Sequence, residues 1–260
     1  VSDIDLELAV HAFKYAGVKD ADIVRTNDTA EADRAMDEGK YVATTNSNLI
    51  SQCRPVEVAI DATGVPDVGA KVATDAINNK KHVVMLNVET DVVIGPLLDK
   101  MAKDNGVIYT GSAGDEPGAV MELYDFATAM GLEVKVMGKG KNNRIDKNCN
   151  PDTVLEEATR RKMSPKMLCA FKDGTETMVE MTAMSNATGL VPDVIGGHGI
   201  ASDVKSLNET YKLKEDGGIL NQHGVVEYVN GIAPGVFVTV ATDNEEIAYQ
   251  MQYHSMGPGP

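Results

Sequence analysis

The residue types and spacing best suited to chemistry lie in GKGKNN at 138–143. Lys139 and Lys141 alternate with glycines directly after a β-branched run, and Asn142 and Asn143 follow them. In a chain of net charge −15, a local cationic cluster stands out. Such lysines suit an anionic group on a substrate: a carboxylate, a phosphate or a developing alkoxide. A lysine desolvated beside another cation can also exchange protons near neutrality. A solvated loop is the competing reading, and the glycine spacing favours function. A second segment, YTGSAGDEPGAV (109–120), sets Asp115 beside Glu116 between a strand and a helix. Paired carboxylates can hold a divalent cation or accept substrate hydroxyls. They equally suit a helix N-terminus with Pro117 in its first turn, and the pair alone leaves both readings open. In LNVETD (86–91), Asn87, Val88 and Glu89 follow a buried strand. Glu89 is an acid/base candidate, or a first-turn carboxylate favoured by the helix dipole.

Cofactor contacts are expected at the carboxyl ends of the strands, where open α/β sheets bind ligands. DATGVP (61–66) hands a buried strand over to a helix, and a small residue before Gly lets a cofactor approach the backbone. Ala62, Thr63, Gly64, Asn87 and Val88 are therefore assigned to the nicotinamide ribose region. Asp3 follows what reads as the tail of a strand, where an acidic residue hydrogen-bonds the ribose hydroxyls of NAD. Asp3 is also a good N-cap for the helix expected over 5–16. A carboxylate there repels the 2′-phosphate of NADP, so the local reading expects NAD. The Gly-rich turn that belongs about 20 residues earlier is not in this sequence. The chain opens at Val1 and closes on GPGP, and both ends read as cut.

These segments need elements to position them. VEVAI (56–60), HVVML (82–86), VIYT (107–110) and LEVKVM (132–137) are short apolar runs, the mark of buried parallel strands. Between them, apolar stripes over 65–77, 94–102 and 120–127 read as helices, with Pro66 in a first turn and Gly106 and Gly131 as C-terminal caps. Strands alternating with helices imply βαβ units: an α/β, Rossmann-type parallel sheet with its first strand and Gly-rich loop missing. Residues 139–152 read as a long loop, 151–163 as a helix and 164–188 as one or two more. Gly is frequent over 189–235, and VFVTVAT (236–242) is a strand. The expected division is 1–137 for a partial dinucleotide-binding domain, 138–235 for a smaller α+β catalytic domain, and 236–260 for a strand leading into a further domain.

Composition narrows the partners. With 24 Lys+Arg against 39 Asp+Glu, the chain is a poor candidate for nucleic acid or an anionic membrane. No apolar run reaches the roughly 20 residues that span a bilayer. Three separated cysteines, Cys53, Cys149 and Cys169, argue against a disulfide framework and for a reducing cytoplasm. His198 and His223 sit in Gly-rich loops and are weak site candidates, and His11 and His82 fall within elements. No His/Cys spacing marks a metal site, so no metal ligand set is assigned. The methionines of 163–184 read as deformable packing.

Taken together, KHVVMLNVETDVVIGPLL, GVIYTGSAGDEPGAVMELYDF, EVKVMGKGKNN, MVEMTAMSNATGLVPD and GGILNQHGVVEYV…GIAPGVFV resemble the bacterial homoserine-dehydrogenase-like family, and in it the deoxyxylulose-phosphate-reductoisomerase-like branch. The resemblance covers almost all of 1–260. It implies a Rossmann NAD(P) domain, a catalytic domain and a following SAF domain. It also implies an NADPH-linked conversion of deoxyxylulose phosphate to methylerythritol phosphate in isoprenoid precursor synthesis. True homoserine dehydrogenases carry Asn-Lys where this chain has Asn87-Val88, and a carboxylate-free turn in place of GDEPG. A homoserine-dehydrogenase-type enzyme is the first alternative, and a non-catalytic dinucleotide- or metabolite-binding module the second. The expected protein is an NAD(P)-dependent oxidoreductase acting on a small polar, anionic oxo or hydroxy metabolite, cytoplasmic and homo-oligomeric. Lys139, Lys141 and Asn142 handle substrate, and Glu89, Asp115 and Glu116 are acid/base or cation-binding groups.

Overall fold

The structure, a computed structural model, describes residues 1–254 and 256. The closing GPGP lies outside the described residues. The chain divides into two compact units, Val1–Ser112 and Ala113–Pro260.

The first unit is parallel α/β. Its elements are α1 (Leu6–Tyr15), β1 (Ile23–Arg25), α2 (Thr29–Asp37), β2 (Tyr41–Ala43), α3 (Asn48–Gln52), β3 (Val58–Asp61), α4 (Pro66–Asn78), β4 (His82–Met85), α5 (Val88–Asn105) and β5 (Tyr109–Gly111). β1 pairs with β2, and β3, β4 and β5 pair in that order, all in parallel. Ala59, Val83 and Met85 of the strands pack on Ala73, Ala76 and Ile77 of α4 and on Leu98 and Ala102 of α5. This is the βαβ arrangement read from the apolar runs. α5 begins six residues earlier than its stripe implied, because Asn87 caps it: the side chain accepts from Thr90 N–H. Glu89 therefore stands in the first turn of α5. Asp5, not Asp3, caps α1 by accepting from Glu7 N–H, and Asp3 accepts from Asp5 N–H at 2.9 Å.

The second unit contains α6 (Glu116–Ala129), β6 (Glu133–Lys141), α7 (Leu155–Arg161), α8 (Pro165–Asp173), α9 (Thr175–Thr188), β7 (Val191–Pro192), α10 (Leu207–Thr210), β8 (Val225–Asn230), β9 (Val236–Ala241) and α11 (Glu245–Tyr253). Its sheet runs β7-β8-β6-β9, with β6 parallel to β8 and antiparallel to β9. The segment expected to loop from residue 139 is strand as far as Lys141, so the boundary expected after 137 falls inside β6. The helix expected over 151–163 is only Leu155–Arg161, and Gly174, at φ +91°, separates α8 from α9. Among the described residues, no helix is long and apolar enough to cross a membrane.

β6 organises this unit. Its pairing with β9 shifts register between Val134 and Val136, leaving Lys135 without an opposite residue. Such a bulge reverses the alternation of everything beyond it. Leu132 and Val134 pack with Met137 against Val120 of α6 and Met181 and Met184 of α9, while Val136 faces Leu207, Leu220 and Phe237. Beyond the bulge, Met137, Lys139 and Lys141 share the α6/α9 face. Gly138 and Gly140 take the other. A Cβ on Gly140 would stand 2.5 Å from Ala233 N and 2.6 Å from Ile232 C, both backbone atoms. The glycine alternation of GKGK thus admits the neighbouring chain, while the lysines between them point to the opposite side.

Gly140→Ala is expected to destabilise the second unit by about 1–3 kcal/mol, the usual cost of forcing an extra carbon into a packed site. Gly111→Ala, with nothing near its Cβ, should change stability by about 0.5 kcal/mol or less. Denaturant midpoints of the two variants check this. Equal midpoints would show that the 232–233 segment yields.

Candidate active site

The site is built where β6 meets the N-terminus of α6 and the middle of α9. The Met-rich α9 buries Thr177, Glu180, Met181 and Met184, a stripe at helical spacing that includes one carboxylate. Glu180 is 4% exposed and Lys139 7%. The Lys139 ammonium bonds the Glu180 carboxylate, and its Nζ lies 3.0 Å from Glu116 Oε1. Asp115 is the N-cap of α6 and Glu116 its first residue, with Pro117 following. Both acids stand where the helix dipole favours negative charge, and Glu116 also pairs with Lys139. One oxygen each from Asp115, Glu116 and Glu180 can be chosen so that all lie within 4.8 Å of one another.

Three carboxylates around one ammonium set the protonation of the cluster. Burial pulls the Lys139 pKa down, but hydrogen bonds and charge from Glu180, then Glu116, outweigh it and hold the ammonium above its ordinary value. Burial pushes the Glu180 carboxyl up to about 7 against the opposing pull of Lys139, with Glu116 and Asp115 adding repulsion. Asp115 is raised by burial and by Glu116 beside it. Glu116 is lowered because Lys139 overcomes its burial. The cluster therefore keeps a charged lysine and a carboxyl that gains or loses its proton near neutrality.

Lys141, two residues along the same face, is 6% exposed and donates to the Phe171 carbonyl at 2.7 Å. Burial, then the neighbouring Lys139 charge, lowers its pKa. It opens on a cleft of about 320 Å³ lined by Lys141, Asn142, Asn143, Arg144, Asn230, Gly231 and Ala233.

The chain with these features matches the family described as oxidoreductase DRL, catalytic domain, over residues 114–260. It belongs to that family. The match begins at the GDEPG turn and takes in the Lys139 cluster and the cleft. Among curated proteins none matches. Solved structures similar to the chain include 1-deoxy-D-xylulose 5-phosphate reductoisomerase from Zymomonas mobilis in complex with NADPH, at 10% identity and TM-score 0.47, over 92% of this chain and 58% of that one. A probable dehydrogenase from Thermotoga maritima matches at 12% identity and TM-score 0.45, over 92% and 63%. An NAD binding oxidoreductase from Klebsiella pneumoniae matches at 18% identity and TM-score 0.33, over 49% and 35%. The chain spans less than two thirds of the length of each.

Of the residues singled out from sequence, the fold brings Lys139, Asp115 and Glu116 together and sets Lys141 and Asn142 on the adjoining cleft. Glu89, Asp3, Ala62, Thr63, Gly64, Asn87 and Val88 belong to the first unit. There Asn87 is 1% exposed, with its Nδ2 donating to Asp61 Oδ2 at 2.9 Å and to Thr63 Oγ1 and the Val65 carbonyl at 3.2 Å. Its side chain is committed to joining the turns after β3 and β4. Val88 is buried, whereas Ala62 and Thr63 are exposed and Gly64 has open space at φ +62°. His198 Nε2 lies 2.8 Å from Asp193 Oδ2, and its backbone N–H donates to the buried Glu227 carboxylate, pinning the GGHG loop. His223 is exposed. Glu180 was missed from sequence. Its one signal was a lone acid on the buried stripe of MVEMTAM.

Glu180 has a pH signature. A carboxyl raised from the ordinary 4.5 to about 7 holds in the folded state a proton that the unfolded chain has released between those values. Its contribution to stability is complete below 4.5 and is lost as pH rises towards about 7. Glu180→Gln should flatten this part of the stability profile, measured by denaturant unfolding at about pH 5 and about pH 7. A slope equal to that of the wild type would show that Glu180 titrates elsewhere.

Proposed function

We propose that the second unit is the proton-transfer and substrate-binding part of an NAD(P)-dependent oxidoreductase acting on a small, polar, anionic oxo or hydroxy metabolite. The observation that carries this reading is Lys139, an ammonium on a strand between a half-buried and a buried carboxylate, the buried one titrating near neutrality. In the oxidative direction the substrate hydroxyl gives up its proton and the carbinol carbon its hydride. Lys139 donates to the oxygen as negative charge develops, and Glu180 accepts the proton. In reduction Glu180 returns the proton to the new alkoxide. Groups preset to meet developing charge in a water-poor pocket need no reorganisation during the step. A pKa near the working pH lets one residue serve both directions.

A nicotinamide dinucleotide, when bound, supplies the hydride acceptor or donor. The turn after β3 fits such a molecule, since Ala62, Thr63 and Gly64 leave the carboxyl end of a parallel strand uncovered. Asp61, Asn87 and Thr90 then act as positioning residues holding that turn. Asp3 adds a carboxylate for ribose hydroxyls and favours NAD over NADP, against the NADPH that the reductoisomerase-like resemblance implies. Val88 and Glu89 support the first turn of α5 in this reading. Deoxyxylulose phosphate, with a place in isoprenoid precursor synthesis, is the substrate favoured by resemblance, and homoserine the alternative. A cytoplasmic homo-oligomer completes the proposal.

A divalent cation is a second reading, carried by the three carboxylate oxygens that gather within 4.8 Å. Asp115, Glu116 and Glu180 would hold it as hard oxygen ligands, and it would neutralise an alkoxide in place of the ammonium.

In the full-length enzyme, Lys139→Met should lower kcat by about 100-fold or more, the range of a lost acid/base group, with dinucleotide affinity unchanged in a fluorescence titration. Wild-type turnover in that variant removes Lys139 from the mechanism. Chelation separates the two readings. Activity lost with chelator and restored by Mg²⁺ or Mn²⁺ assigns the carboxylates to a cation; activity indifferent to chelator leaves them as partners of Lys139.

A further inference from the structure

The Lys139 cluster is rich in negative charge. Three carboxylates surround one ammonium, so an anionic substrate group would be repelled from it at any pH where two of the three are ionised. The anion of the proposed substrate needs another place. We infer that the cleft beside Lys141 is that place: an oxyanion subsite formed by Lys141, Arg144 and the amides of Asn142 and Asn143. The inference rests on the oxidoreductase reading only in calling the bound anion the substrate's own.

Three observations carry it. The cleft, about 320 Å³, is the size of a small metabolite fragment and is lined by two cationic and three amide side chains, with no acid among them. The ion pairs with Glu116 and Glu180 fall to Lys139, not to Lys141 on the same face. Glu180 and Asp173 act on Lys141 only at longer range. Lys141 is buried with a single carbonyl partner, leaving ammonium protons to donate.

Spacing ties the subsite to the chemistry. Lys139 and Lys141 project from the same face of β6 two residues apart, so their Cα atoms stand about 7 Å from each other. A substrate that sets its reacting carbon at Lys139 and its anion at Lys141 and Arg144 is a short chain of a few carbons. Recognition is by oxyanion, either a phosphate or a carboxylate.

Inorganic phosphate and acetate, titrated separately into the isotopically labelled chain, test this through the backbone amide shifts of Asn142, Asn143 and Gly231. Saturable shifts are expected with at least one anion, and the tighter of the two identifies the group. Arg144→Gln, on an exposed residue that should not disturb folding, is expected to weaken binding about tenfold, and Lys141→Met at least as much. Lys100→Gln, a control in the first unit, should leave the dissociation constant within about twofold. No saturation with either anion, or equal affinity in Arg144→Gln and wild type, overturns the subsite. Anion binding that behaves as expected, together with wild-type turnover in Lys139→Met, would sink the catalytic reading and leave the subsite standing.

Discussion

Burying an ammonium group costs several kcal/mol unless carboxylates meet it in good geometry, and the second unit is arranged around meeting that condition at Lys139. The lysine comes from β6, one acid from the first turn of α6 and another from the middle of α9. α6 and β6 follow each other in sequence, but α7 and α8 separate both from α9. The methionine core of Met137, Met181 and Met184 brings them together, and the polar cluster lies next to that core on the same face of β6. Removing one partner would leave the others as uncompensated buried charge, so the cluster stands or falls as a unit.

The same condition explains the protonation pattern. One cation cannot neutralise three carboxylates. The excess charge is relieved by raising the most buried acid into the neutral range and keeping Asp115 above its usual value, while the lysine stays charged. A structural ion pair would need one acid. The surplus acids suit the proposed proton transfer, and perturbed carboxyls of this kind gather at functional sites more often than elsewhere. Lys141 completes the contrast, since two residues along the same face it bonds a backbone carbonyl and has its pKa lowered.

The first unit applies its polar groups differently. Asp61, Asn87 and Thr90 form a buried knot with one another and with the turn backbone, and Gly69 leaves room for all three. Their geometry holds two strand ends together beneath the exposed Ala62-Thr63-Gly64 turn. Chemistry-capable residue types there serve position, whereas in the second unit they gather as one ammonium among three carboxylates.

The sequence by itself determined the α/β class, the strands at 56–60 and 82–86, the helix starting at Pro66, and the interest of GKGKNN and GDEPG. These follow from local periodicity, turn chemistry and charge contrast, which need no long-range information. It did not show that GKGK is strand rather than loop. Gly140 is explained by the backbone at 232–233, more than ninety residues away, and Gly138 by the approach of Glu227 and Phe237. Strict alternation from Leu132 would place Lys139 with Glu133 and Lys135 on the face opposite α6 and α9. Only the bulge at Lys135, fixed by pairing with β9, turns Lys139 onto the α6/α9 face. Glu180 was hidden for the same reason: an acid on a helix becomes a partner only when packing buries its face against a particular strand. Residue types and local elements were legible because they depend on neighbours in sequence. Which charges meet was decided by tertiary structure, because register and burial are set by contacts between distant segments.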